Sequence, residues 1–270
     1  MSVKVAVVGH VEWVEFVRVE AVPRPGAIVT ASETWEEPAG GGGVAAVELA
    51  RLAREATLFC MLGRDDLGKR ARERLEGASV RTHSSESDDP QRRGFCYLDD
   101  AGERTITVIG EKARPRGDDG SLPWELLDDT DGVYFTAGDV SALRQARRAR
   151  VLVATARELA TLQAAAVELD ALVASGDDEA ERYHAGDLDP PPKLVVSTAG
   201  ALGGWAQPGG PYKAAQPTLP FEDAYGAGDC FAAGLTFALA QGLEPAEALA
   251  FASERGALAL GRRGAGLAHA

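Results

Sequence analysis

The stretch Phe221–Gly242, FEDAYGAGDCFAAGLTFALAQG, runs an extended segment into a helix of small and apolar residues, and it spends Gly226, Ala227, Gly228 and Asp229 on the junction. Small residues at such a junction let an anion approach the backbone, where the free N–H groups of the first turn and the helix dipole attract negative charge. Gly226, Ala227 and Gly228 therefore read as an anion hole. Asp229 has two readings. It caps the helix, as aspartate commonly does, or it accepts the proton of an attacking hydroxyl while the amides hold a transferring phosphoryl group. It does not bind the phosphate itself, because like charges repel.

Working outward, VKVAVVG (3–9) reads as a buried strand of a parallel sheet ending in glycine. GGVAAVELARLA follows as a helix whose small residues suit close packing on a sheet, and ATLFCMLG supplies a second strand. Helix LGKRARERLEG, strand GVYFTAG, helix VSALRQARRA, strand RVLVATA, helix ELATLQAAAVEL, and strands DALVAS and KLVVSTAG continue the alternation. The pattern predicts an α/β sandwich with a mostly parallel sheet. Two segments, WVEFVRVEAVPRPGAIVTASETWEE and RRGFCYLDDAGERTITVIG, alternate apolar with polar residues and read as antiparallel strands outside that sheet, either a lid over a site or edge hairpins. RPRGDDGS and GDLDPPPK read as surface loops.

With 270 residues, 45% of them hydrophobic, the chain can bury a large core in one domain. Its 28 basic and 41 acidic residues leave a net charge of −13, which opposes nucleic acid or an anionic membrane as partner. No run is long and apolar enough to span a membrane, and the N-terminus lacks the features of a leader, so a cytoplasmic location is expected. Cys60, Cys96 and Cys230 show no disulfide or zinc pattern, and the four histidines show no ligand spacing. His10 stands out only for following a strand. The nucleotide signatures G-x-x-x-x-G-K-[ST] and, after the first strand, G-x-G-x-x-G are both absent.

EDAYGAGDCFAAGLTFALAQG resembles the C-terminal signature D-T-x-G-A-G-D of the ribokinase-like, or PfkB-type, carbohydrate kinases. GGGGVAAVELARLAREATLFCMLGRDDLGKRARERLE is similar to that family's glycine-rich segment, helix, strand and G-x-D-x-x-G sequence, and VVSTAGALGG to its V-T-x-G-x-x-G. The order agrees along nearly the whole chain. The resemblance implies a ribokinase-like three-layer sandwich over residues 1–270, a mostly parallel central sheet, and a small β lid formed near 12–38 and 92–110. It implies an ATP-dependent phosphotransferase, with Mg2+, acting on an alcohol group of a sugar, nucleoside or related small molecule. Asp229 is then the base and the 226–228 backbone the anion hole. Thr198, Gly200 and, in FASERGALALGRRGAG, Ser253 border the nucleotide. Glu179 matches the glutamate of an N-x-x-E motif that supports magnesium through water, with Gly176 in place of its asparagine. The implied partners are a small-molecule substrate and, through the lid, a second copy of the chain.

The sequence departs from the family where the sugar binds. Val14 stands where an aspartate is usual, flanked by Glu12 and Glu15 as candidate replacement contacts, and the glycine-rich segment offers Gly41 and Val44 where a lysine and an asparagine are usual, with Gly42 a further candidate for the substrate. Arg104 is a candidate contact from the lid, and Trp13 and Trp35 offer apolar area to a ring or to lid packing. An apolar wall at Val14 and Val44 predicts poor use of free ribose or fructose and a preference for an acceptor with an apolar portion, such as a nucleoside. The alternative is a catalytically impaired ribokinase-like protein that binds a small ligand.

Overall fold

The computed structural model describes residues 3–267. Strand β1 (Val5–Val8) is the β-branched run near the start, and all four of its residues are buried. Val5 and Val7 belong to one apolar cluster and Ala6 and Val8 to another, as the two-residue period of a strand between two helical layers requires. The chain leaves the sheet through β2 (Glu12–Arg18) and β3 (Glu33–Ala39), and returns with α1 (Gly40–Ala53), β4 (Ala56–Gly63), α2 (Asp66–Gly77) and β5 (Val80–Ser87). It leaves again as β6 (Arg93–Leu98) and β7 (Arg104–Ile109). The rest of the sandwich is β8 (Gly132–Phe135), α3 (Val140–Ala146), β9 (Val151–Thr155), α4 (Leu159–Ala165), β10 (Ala171–Ser175), β11 (Val195–Thr198), β12 (Gly204–Gln207), β13 (Gly210–Tyr212), α5 (Ala227–Ala240) and α6 (Pro245–Ala259).

The main sheet has nine strands in the order β13-β12-β11-β10-β9-β8-β1-β4-β5. The strands from β5 to β11 pair in parallel, and β12 and β13 add an antiparallel edge. Residues of α1, α2, α5 and α6 pack on one face, and residues of α3, α4 and the 3-10 turn Trp124–Asp129 on the other. This is the expected three-layer sandwich with a mostly parallel sheet. From β1 the order runs one way through β4 and β5 and the other way through β8 and β9. The carboxyl ends of β1 and β8 therefore flank a topological switch point, where open α/β sheets leave a crevice.

The two alternating segments meet in one smaller sheet, ordered β3-β2-β6-β7. Each segment is an antiparallel pair, but β2 and β6 join in parallel, Trp13 opposite Arg93. A third apolar cluster, which includes Val14, Phe16, Cys96 and Leu98 from this lid and Val44, Tyr225 and Cys230 from the body, ties the two together. Phe16 stacks on Trp35 and meets Tyr225 edge-on, each at 4.9 Å between ring centroids. Trp35 also lies under the Arg263 guanidinium, and Trp13 donates from Nε1 to Glu36 at 2.9 Å, so both tryptophans serve lid packing. Glu37 of β3, fully buried, accepts from the backbone N–H groups of Ala265 and Leu267 and so fastens the chain after α6 to the lid. The stretch expected as one helix, ELATLQAAAVEL, is shorter: it ends at Ala165, and Ala166 turns left-handed with φ 51°.

Candidate active site

Helix α5 begins directly after Gly226, which holds φ 71°, a left-handed conformation that glycine adopts without strain. A Cβ there would stand 2.8 Å from Val44 Cγ1, so the tight packing of α5 against α1 also excludes a side chain. A Cβ at Gly228 would meet nothing within 4 Å: the backbone at this point opens onto space. No side chain caps α5, which leaves its first amides free. Asp229 sits in the first turn but does not cap it; its carboxylate lies across the start of α1, where a Cβ on Gly41 would be 3.0 Å from Asp229 Oδ1 and 3.5 Å from His10 Cε1. Two helix N-termini thus converge on one carboxylate. Burial pushes the Asp229 carboxyl up to about 6; Glu181 adds to the rise, and Arg104 and Arg157 oppose it. A base poised near that value is ionised at neutral pH yet can take a proton.

The opposite wall is built from strand ends. His10 follows β1, and its Nε2 lies 3.6 Å from Glu12 Oε1. Glu12 Oε1 also lies 2.9 Å from Arg92 Nε. Burial raises the Glu12 carboxyl although Arg92 and Lys112 pull against it, and burial together with Lys112, Arg92, Arg114 and Arg157 holds the His10 imidazole well below its usual value. His10 is therefore neutral at neutral pH. Thr136, just beyond β8, lies directly over Gly9: a Cβ on Gly9 would come within 2.2 Å of its Oγ1. His10 Nδ1 and Thr136 Oγ1 are both buried and have no hydrogen-bond partner in the protein. Unpaired buried polar atoms are costly unless a ligand completes them, and these two sit at the switch point beside Asp229.

Of the residues singled out in the sequence, Gly226, Ala227, Gly228, Asp229, Glu12, Gly41 and Gly42 gather here, the last with its Cα packed against the His10 backbone. Arg104, on β7, donates to the carbonyl of Ala224 at 2.6 Å, linking the lid to the loop before α5. Thr198 ends β11 with its Oγ1 on the Ala174 carbonyl, Gly200 opens a 3-10 turn with φ 51°, and Ser253 is buried on α6 with an unpaired Oγ.

Three expectations need correction. Glu179 does not face the cleft: its side chain is 89% exposed and lies 3.6 Å from Arg182. Two residues on, Glu181 pairs with Arg157 at 2.6 Å and is the strongest charge raising Asp229; Asp178 and Glu181 stand three apart, the spacing the sequence reading had applied from Gly176. The second correction concerns Val14 and Val44, which are core contacts between lid and body and not a wall exposed to an acceptor. Third, Glu15 is exposed, so it supplies no replacement contact. Sequence reasoning missed Thr136, Arg92, Lys112, Arg114 and Arg157, which come from four separate places in the chain and carry no shared motif. His10 was signalled only by its place after a strand.

Such a cleft suits transfer of a phosphoryl group to a small alcohol, and comparison with known proteins places the chain among enzymes of that class, since residues 2–170 and 140–269 match the pfkB family carbohydrate kinase. The chain belongs to that family and is a small-molecule kinase. It is 32% identical over 288 residues to an ATP-dependent ribose-1-phosphate kinase of Halopiger xanaduensis, a match that covers 97% of this chain and 94% of the relative. Ribokinase from Thermotoga maritima superposes with a TM-score of 0.77 at 20% identity, covering 98% of this chain and 95% of that one. Arabidopsis thaliana ribokinase, complexed with ribose and ATP, gives 0.71 at 20% identity over 98% and 94%. These two likenesses show the shared fold.

Proposed function

We propose that the protein is an ATP-dependent kinase that phosphorylates a hydroxyl of a ribose-type sugar or sugar phosphate. The observation that carries this reading is the Asp229 carboxyl, raised to about 6, set among two helix N-termini at the switch point. The identity with a ribose-1-phosphate kinase along nearly the whole chain supports the substrate class. Asp229 accepts the acceptor's O–H proton as its oxygen forms a bond to the γ-phosphorus. The bond from that phosphorus to the β-bridging oxygen breaks, and ADP leaves. The free amides of Ala227 and Gly228 face the oxygens on which negative charge builds. His10 and Glu12 line the acceptor side in place of the family aspartate whose position Val14 takes, so a polar acceptor is favoured over the nucleoside that an apolar wall would have preferred. Thr198, Gly200 and Ser253 border the nucleotide.

Among the described residues no three His, Cys, Asp or Glu side chains group as a metal cage. A magnesium ion would be held mainly by nucleotide phosphates, with Glu181, paired to Arg157, and not the exposed Glu179 supporting its water. The ion neutralises phosphate charge during transfer. An assay of ATP consumption with ribose, ribose 1-phosphate, fructose and a nucleoside tests the reading. Turnover greatest with ribose or ribose 1-phosphate is expected. Turnover greatest with a nucleoside would overturn the substrate class, and none with any acceptor would leave a ligand-binding protein that has lost catalysis.

A further inference from the structure

Lys112 and Arg114 follow the lid strand β7 and reach the same buried carboxylate. Lys112 Nζ lies 3.2 Å from Glu158 Oε1, and Arg114 Nη1 bonds Glu158 Oε2 and lies 3.4 Å from the carbonyl of Gly138. Glu158 is only 3% exposed and stands beyond β9, and Gly138 lies beyond β8, so the pair is anchored over the carboxyl ends of two central strands. We propose that Lys112 and Arg114, held by Glu158, form the seat for a phosphate monoester carried by the acceptor, on the His10 side of the cleft and away from Asp229. This rests on the reading of the cleft as a sugar-kinase site.

Charge arithmetic leads there. Arg92 is matched by Glu12, and Arg157 by Asp178 and Glu181, while Lys112 and Arg114 share one carboxylate. The Lys112–Arg114–Glu158 group thus carries one net positive charge, although the second carboxylate on Arg157 brings the wall as a whole to four cations and four carboxylates. A partly buried group with local positive charge favours an anion placed beside it. The placement is directional, because the seat hangs on the segments that follow β8 and β9 while Asp229 belongs to the first turn of α5 and faces the start of α1. An acceptor with its phosphate at the seat thus presents its other end to the base.

The test uses ribose 1-phosphate and free ribose with the whole enzyme. Lys112→Met and Arg114→Met should each raise KM for ribose 1-phosphate, and its Kd by calorimetry without nucleotide, by roughly 10-fold or more, as loss of a charge-assisted hydrogen bond implies. KM for ATP should stay within about threefold, the loss of kcat/KM for free ribose should be several times smaller than that for ribose 1-phosphate, and Lys112→Arg should retain affinity for ribose 1-phosphate, which separates charge from folding. An unchanged Kd, an equal loss with free ribose, or a rise confined to KM for ATP overturns the seat. If ribose 1-phosphate binds through Lys112 and Arg114 but no phosphoryl transfer follows, the seat stands and the kinase reading falls.

Discussion

Asp229 carries the chemistry of a single residue into solution behaviour. Its carboxyl titrates at about 6 in the fold, so kcat/KM should rise with pH through that value and level above it. Asp229→Asn should lower turnover by roughly 10²-fold or more and abolish that limb of the profile. The same substitution should not cost stability. Because the folded value lies above that of an ordinary aspartate, near 4, the native state holds the proton more tightly than the unfolded chain; the stability this contributes is full below about 4 and is lost as pH rises through about 6. Asparagine has no proton to lose, so at about pH 8 the variant should unfold at or above the wild-type temperature. Near-native turnover, or a marked drop in Tm, would make Asp229 structural.

The turn Glu179–Glu181 shows how one element decides between two acids two residues apart. Asp178 caps it by accepting from Ala180 N at 2.9 Å, and Arg157 reaches over from beyond β9 to both Asp178 and Glu181 at 2.6 Å. The cap directs Glu179 into solvent and Glu181 toward the cleft. Glu181→Gln should therefore raise the magnesium concentration needed for half-maximal turnover severalfold, while Glu179→Gln leaves the titration unchanged. The reverse result would return the supporting role to Glu179.

The lid sheet ends in β3 on one side and β7 on the other, and β7 is its exposed apolar edge. All six residues of β7 are exposed, and Ile106, Val108 and Ile109 are 40–48% so, an apolar edge strand of the kind that pairs with another chain. A homodimer through the lid is the expected state in sedimentation at micromolar concentration, and Val108→Lys should shift it to monomer. A monomeric wild type would mean that this edge has no such partner.

The sequence by itself determined the layer architecture and the junction at which Asp229 enters the first turn of α5. Strand runs and helix periodicity are local properties, and GAGD at a strand-to-helix junction is a contiguous unit, so both are readable along one line of residues. The existence of a lid was legible too, but not that β2 and β6 would join in parallel, since pairing between segments far apart in the chain leaves no local trace. Only the tertiary structure decided which polar groups line the acceptor side. His10, Arg92, Lys112, Thr136 and Glu158 come from separate loops, and what unites them is the crevice formed where the strand order reverses. Burial there made two hydrogen-bonding atoms solitary and set two cations on one carboxylate, and it moved Val14 and Val44 from the expected wall into the core, because exposure is a property of the packed chain and not of a residue's neighbours in sequence.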